Sequence, residues 1–137
     1  MKWRLRDRRG SSVVEFAMVL PLLLILVSGI IEFGLILYDK VVITNASREG
    51  ARYGIVVQSP SVTAAQITGV VNNYCSTYLV SATNNSPVTT VTNAGGAFQT
   101  LLKVQVTYNY GFFVLPNLVK SLTGPIVLSA TTSMNME

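Results

Sequence analysis

The chain has 137 residues, 12% of them charged, with ten Lys or Arg, six Asp or Glu, no His and one Cys. A lone cysteine excludes an intramolecular disulfide, and without histidine no cysteine–histidine metal site can form. The net charge of +4 lies wholly in the first ten residues, and beyond Gly10 five basic residues balance five acidic ones. The basic character therefore belongs to a short leader, and no nucleic-acid partner is expected.

Residues 1–10 form that leader, with Lys2, Arg4, Arg6, Arg8 and Arg9 opposed only by Asp7. Residues 11–38 read as a transmembrane segment. No charge falls between Phe16 and Ile31, and Glu15 and Glu32 bracket the run. At about 1.5 Å per residue such a helix spans a hydrocarbon layer roughly 30 Å thick. Its apolar residues cover every face, which excludes the one-sided stripe of a soluble amphipathic helix. Basic residues are retained in the cytoplasm, so the N-terminus is expected inside and the remainder exported. Pro21 removes the hydrogen bond to the Ala17 carbonyl, and a gentle kink is expected there.

Two processing sites are compatible with this segment. Signal peptidase could cut after Val27-Ser28-Gly29, leaving the greasy terminus Ile30-Ile31-Glu32-Phe33. A cut after Gly10 would remove only the leader and keep the apolar helix. Glu15 bears on the choice, because a charged side chain at membrane depth costs about 2.5–3.5 kcal/mol on insertion scales. Cleavage after Gly10 would create an amine on Ser11, a strong partner for the Glu15 carboxylate in a low-dielectric layer. As a mere marker of the headgroup boundary Glu15 needs no such partner, and the residues alone leave both readings open.

Residues 39–57 are expected to carry the helix out of the membrane, making residues 13–57 a spine roughly 65–70 Å long. Ala46, Gly50 and Gly54 recur at spacing four, a small-residue ridge that lets another backbone approach closely. Each glycine costs about 1 kcal/mol of helix propensity relative to alanine, so a packing gain is expected to offset it. Arg48, Glu49 and Arg52 make a mixed-charge face, structural or subunit-facing.

The stretch Arg8-Arg9-Gly10-Ser11-Ser12-Val13-Val14-Glu15-Phe16 resembles the cleavage site of type IV prepilin-like proteins, in the G-x-x-x-x-E-F form of the tight-adherence (Flp) pilus system. Leu20-Pro21-Leu22-Leu23-Leu24, Ile31-Glu32-Phe33-Gly34 and Asn45-Ala46-Ser47-Arg48-Glu49-Gly50-Ala51-Arg52-Tyr53 are similar to blocks of the TadE-like minor pilins of that system. The resemblance is dense over residues 8–57 and diffuse beyond. It implies a pilin-like protein of the bacterial inner membrane, single-pass, with the domain exported and able to enter the pilus. The implied partners are a prepilin peptidase, other pilins and the pilus assembly platform. The implied processing residues are Gly10, Ser11, Glu15 and Phe16, with cleavage between Gly10 and Ser11. The residues expected to serve assembly or subunit packing, from the pairing, spacing and charge given above, are Glu15, Ala46, Arg48, Glu49, Gly50, Arg52 and Gly54.

Residues 58–137 are expected to form a small exported α+β domain. Ser59 reads as the cap of a second helix, with Pro60 at its first position. Ile67, Val70, Val71, Tyr74, Tyr78 and Leu79 then recur at helical spacing, and Cys75 within that pattern reads as a buried, inert thiol, with an intermolecular bridge as the alternative. Residues 81–97 read as loop with one short strand at Val88–Thr92 and a turn at Gly95-Gly96. Leu102–Tyr110 is the clearest strand, Val104, Val106, Tyr108 and Tyr110 alternating with polar residues. Phe112–Leu122 reads as core filler, with a membrane-surface patch of Phe112, Phe113, Leu115 and Leu118 as its alternative, and Ile126–Met136 as the last strand. The fold class is thus α+β, a long N-terminal transmembrane helix continuing into a domain with a second helix and a small antiparallel sheet. No general base, phosphate cradle or metal-ligand spacing is present, so neither an enzyme nor a cofactor-binding protein is expected.

Overall fold

A computed structural model describes residues 8–56, 60–80, 86–113 and 124–136. Helix α1 covers Arg8–Gly54, a 47-residue rod that runs through Pro21 without ending, about 70 Å long at the usual rise. It starts before residue 13 and stops short of the expected residue 57. The last bond of its backbone runs from the Ile55 N–H to the Ala51 carbonyl. Gly54, the last residue of the helix, packs against Ile67 and Leu102.

Helix α2 covers Ala64–Tyr78, and its N-cap is Thr63. This corrects the expected start, since Pro60 lies in a bend outside the helix and Ser59 lies outside the described residues. The reason is local. Thr63 and Gln66 form a reciprocal capping box, the Thr63 side chain accepting from the Gln66 N–H and the Gln66 side chain from the Thr63 N–H. Ser59 would have Val62 in the position that needs Glu or Gln. Ile67, Val71 and Cys75 turn inward, and Leu79 is buried at the C-cap.

Three strands follow: β1 (Val88–Thr92), β2 (Leu101–Tyr110) and β3 (Ile126–Asn135). They form one antiparallel sheet in the order β1-β2-β3, with Val106 opposite Thr89 on one side and Ala130 on the other. The alternation expected of β2 is present: Leu102, Val104, Val106, Tyr108 and Tyr110 are buried while Leu101, Lys103 and Asn109 are exposed. The turn expected at Gly95-Gly96 holds Asn93 and Gly95 at φ 63° and 67°, the left-handed region that asparagine and glycine tolerate best. Of Phe112–Leu122, residues 114–122, including Leu115 and Leu118, lie outside the described residues.

Both helices lie on one face of the sheet. The lower half of α1 crosses β2 and β3, and α2 fills the space beside it above β1. The core forms between these layers, around Ile43, Ala46, Ile67, Val71, Leu102, Val104, Val106 and Tyr108. The long apolar helix, second helix and small antiparallel sheet make the chain α+β, as expected.

Candidate functional site

The functional features lie along α1, which changes character at Glu32. From Gly10 to Ile31 every residue is exposed except Ser28, which is half-covered. These twenty-two residues extend about 33 Å, matching the thickness of a bilayer's hydrocarbon core. The most apolar eighteen-residue stretch of α1 has none of itself buried within the chain. A soluble protein's core helix would be covered, so this exposed apolar rod is suited to serve as a membrane anchor.

At the free end, Gly10 and Ser11 already belong to the first turns of α1. The Ser11 hydroxyl donates to Glu15 Oε1 at 3.0 Å, and Phe16 is exposed. A Cβ placed on Gly10 would meet nothing within 4 Å. Packing among the described residues therefore makes no demand for glycine at this position.

Glu32 begins the clamped half. It is buried, and its Oε1 accepts from the Tyr110 hydroxyl at 2.7 Å and from the Phe113 N–H at 2.9 Å. Burial, and then the bond to Glu32, push the Tyr110 phenol above its ordinary range. Two turns on, Asp39 is fully buried and its Oδ1 accepts from the Val80 N–H at 3.2 Å. Its other oxygen, Oδ2, has no hydrogen-bond partner. Burial raises the Asp39 carboxyl above its usual 3.8, opposed by the Val80 N–H. Lys40 donates to the Ser129 carbonyl on β3. Farther along, Ser47 Oγ and Thr132 Oγ1 lie 2.7 Å apart in a hydrogen bond. The spine is thus tied by side-chain bonds to the loop after α2, the end of β2 and the face of β3.

The small-residue ridge is used inside the chain. Ala46, Gly50 and Gly54 are all buried. A Cβ on Gly50 would stand 2.5 Å from Val71 Cγ2, and one on Gly54 would stand 2.6 Å from both Ile67 Cδ1 and Leu102 Cδ2. The expected subunit-packing role is therefore corrected for these three: α2 and β2 occupy the groove that a neighbouring subunit would need. Arg48, Glu49 and Arg52 remain on the exposed face of the same helix, Glu49 bordering a shallow groove with Tyr74 and Tyr78. Cys75 is buried, as expected, and burial followed by the nearby Asp39 charge raises its thiol to about 11. At neutral pH it is a protonated, unreactive side chain.

Glu32 and Asp39 are what the sequence reading missed as structural anchors. Their signal was positional: residues 32, 39, 43, 46, 50 and 54 fall on one helix face at spacings of three, four or seven.

The model of the family described as TadE-like protein matches residues 10–52. No curated protein and no solved structure matches the chain. The matched segment begins at Gly10 and runs through the exposed half of α1 and nearly all of the clamped half, so the likeness to TadE-like proteins is carried by this helix.

Proposed function

We propose that this protein is a minor pilin, or pseudopilin, of a tight-adherence pilus machine. It is inserted in the bacterial inner membrane with its N-terminus in the cytoplasm and its domain exported. A prepilin peptidase trims it between Gly10 and Ser11, and it then acts with other pilins and the assembly platform in priming, assembling or tipping the fibre. The reading gives the protein no catalytic role or cofactor of its own.

The observation that carries this reading is the TadE-like match opening at Gly10, on a helix whose residues 10–31 are exposed but for the half-covered Ser28. Such a helix needs an environment to cover it, first lipid and then the helices of neighbouring subunits. Gly10 has open space around it, which suits a peptidase that must bring its own backbone close. The first turn of a helix has unsatisfied N–H groups and opens readily, so the bond after Gly10 can be presented in extended form. Glu15, bound by the Ser11 hydroxyl, is positioned to receive the new Ser11 amine.

Intact mass of the mature protein tests the reading. A chain beginning at Ser11 is the expected result. A chain beginning at Met1 would make it a static membrane-anchored envelope protein, and one beginning at Ile30 a secreted domain. Glu15→Gln separates cleavage from assembly: the variant is expected to be trimmed, yet to fail to co-purify with other pilins. Normal piliation would reduce Glu15 to a boundary residue.

A further inference from the structure

The domain has two strongly exposed phenylalanines, Phe98 and Phe113, each 70% accessible, and they stand at opposite ends of the sheet. Phe98 lies in the loop before β2, where Gln99 and Thr100 bond to Met136 just after β3. Phe113 follows the other end of β2, about 30 Å away at the usual strand rise over Leu101–Tyr110. Single exposed apolar side chains are ordinary on protein surfaces. The position of Phe113 is not ordinary.

Its N–H is held by the Glu32 carboxylate, and Glu32 is the first buried residue after the free apolar rod. Helical side chains lean toward the N-terminus, so that carboxylate, and Phe113 with it, lies on the membrane side of the Glu32 backbone. The neighbouring ring of Phe112 packs edge-on against Tyr110, with centroids 5.8 Å apart. This contact fixes the direction in which the chain leaves β2, and Phe113 beside it is exposed. On the side of α1 away from the domain, Phe33, Leu37, Tyr38 and Val41 remain exposed. The apolar surface of the rod therefore continues past the level at which the domain begins.

We propose that the Gly111–Phe113 end of the sheet is a second membrane contact, with the Phe113 ring entering the headgroup–acyl boundary of the same bilayer that α1 crosses. The occupant is lipid because Phe113 is held, through its N–H, to Glu32, the residue at which the exposed apolar rod ends. Aromatic side chains are favoured at that depth. The contact fixes how the domain stands over the membrane, and Tyr110 and Glu32 form its hinge-side support. It rests on the membrane anchor alone and not on the pilus role.

The test uses the full chain in phosphatidylcholine vesicles, with Trp3→Phe to remove the native fluorophore. Phe113→Trp is compared with Phe98→Trp, both exposed aromatic replacements that leave the core untouched. Phe113→Trp should emit at shorter wavelength and be quenched several-fold more strongly by lipids brominated near the top of the acyl chain. Phe98→Trp should instead be quenched by aqueous acrylamide. Equal emission and equal acrylamide quenching at both sites would overturn the proposal. So would a blue shift at Phe113→Trp that ignores brominated lipid and grows with protein density, which would assign the patch to a second copy of the chain.

Discussion

Residues 10–31 and 32–54 of α1 share one continuous backbone, yet they meet entirely different surroundings. In the first stretch Gly29 has open space about it, as Gly10 does, and apolar side chains point outward in every direction. In the second, Gly50 and Gly54 admit α2 and β2 to within a distance that a methyl group would violate. Acids differ in the same way. Glu15 is exposed at the helix's free end, whereas Glu32 and Asp39 are buried under the domain. The comparison teaches that helix formation is the common element and that only the second half is covered by the domain's own core, while the first has its apolar side chains exposed.

The largest expected effect comes from breaking the boundary itself. Glu32→Ala leaves the Tyr110 hydroxyl and the Phe113 N–H without their acceptor. A stranded buried donor costs about 1–3 kcal/mol, and with the part-buried Phe113 N–H counted at the low end the domain should lose about 2–4 kcal/mol. Cys75, buried and slow to react, is a built-in reporter: pulsed thiol labelling across a denaturant series should show the midpoint fall. An unchanged midpoint would mean that the clamp begins farther along α1.

A smaller effect distinguishes the glycines of the two halves. Gly50→Val forces a branched side chain into Val71, and overpacking of this kind costs about 1–3 kcal/mol. Gly29→Val meets nothing within 4 Å and should leave domain stability unchanged by the same labelling assay. Equal losses in the two variants would erase the distinction between the halves.

The smallest effect concerns pH. Burial raises the folded Asp39 carboxyl above 3.8, so the folded chain holds this proton to higher pH than the unfolded chain does. The contribution to stability is complete below the unfolded value and declines as pH rises through the folded one. Asp39→Asn should flatten that part of the profile in thermal unfolding followed by circular dichroism. A slope that survives the substitution would assign it to another group.

The strands were legible because a half-buried sheet requires alternation, and Val104, Val106, Tyr108 and Tyr110 supply it without interruption. The anchor was legible because lipid exposure leaves no polar face. The start of α2 was misplaced because Ser59-Pro60 carries a strong local signal, while the Thr63–Gln66 capping box is a subtler pairing. Ala46, Gly50 and Gly54 were visible as a ridge, but spacing alone cannot say whether the approaching surface is another chain or the same one. The anchoring roles of Glu32 and Asp39 were not legible because their partners stand far away in sequence. Tyr110 and Phe113 follow Glu32 by 78 and 81 residues, and Val80 follows Asp39 by 41. Only the folded domain brings these groups together.

The division of α1 at Glu32 is tested most directly by a nitroxide scan along the helix, in a Cys75→Ser background, in vesicles at low protein-to-lipid ratio. Accessibility to molecular oxygen, which enters both the bilayer and the water beyond it, would be read at each position from 13 to 54. The account predicts access on all faces from 13 to 31 with no helical period, then a 3.6-residue period with minima at 32, 39, 43, 46, 50 and 54. Minima that continue at the same period into residues 13–31 would contradict it, because one face of the anchor would then be packed against protein along its whole length.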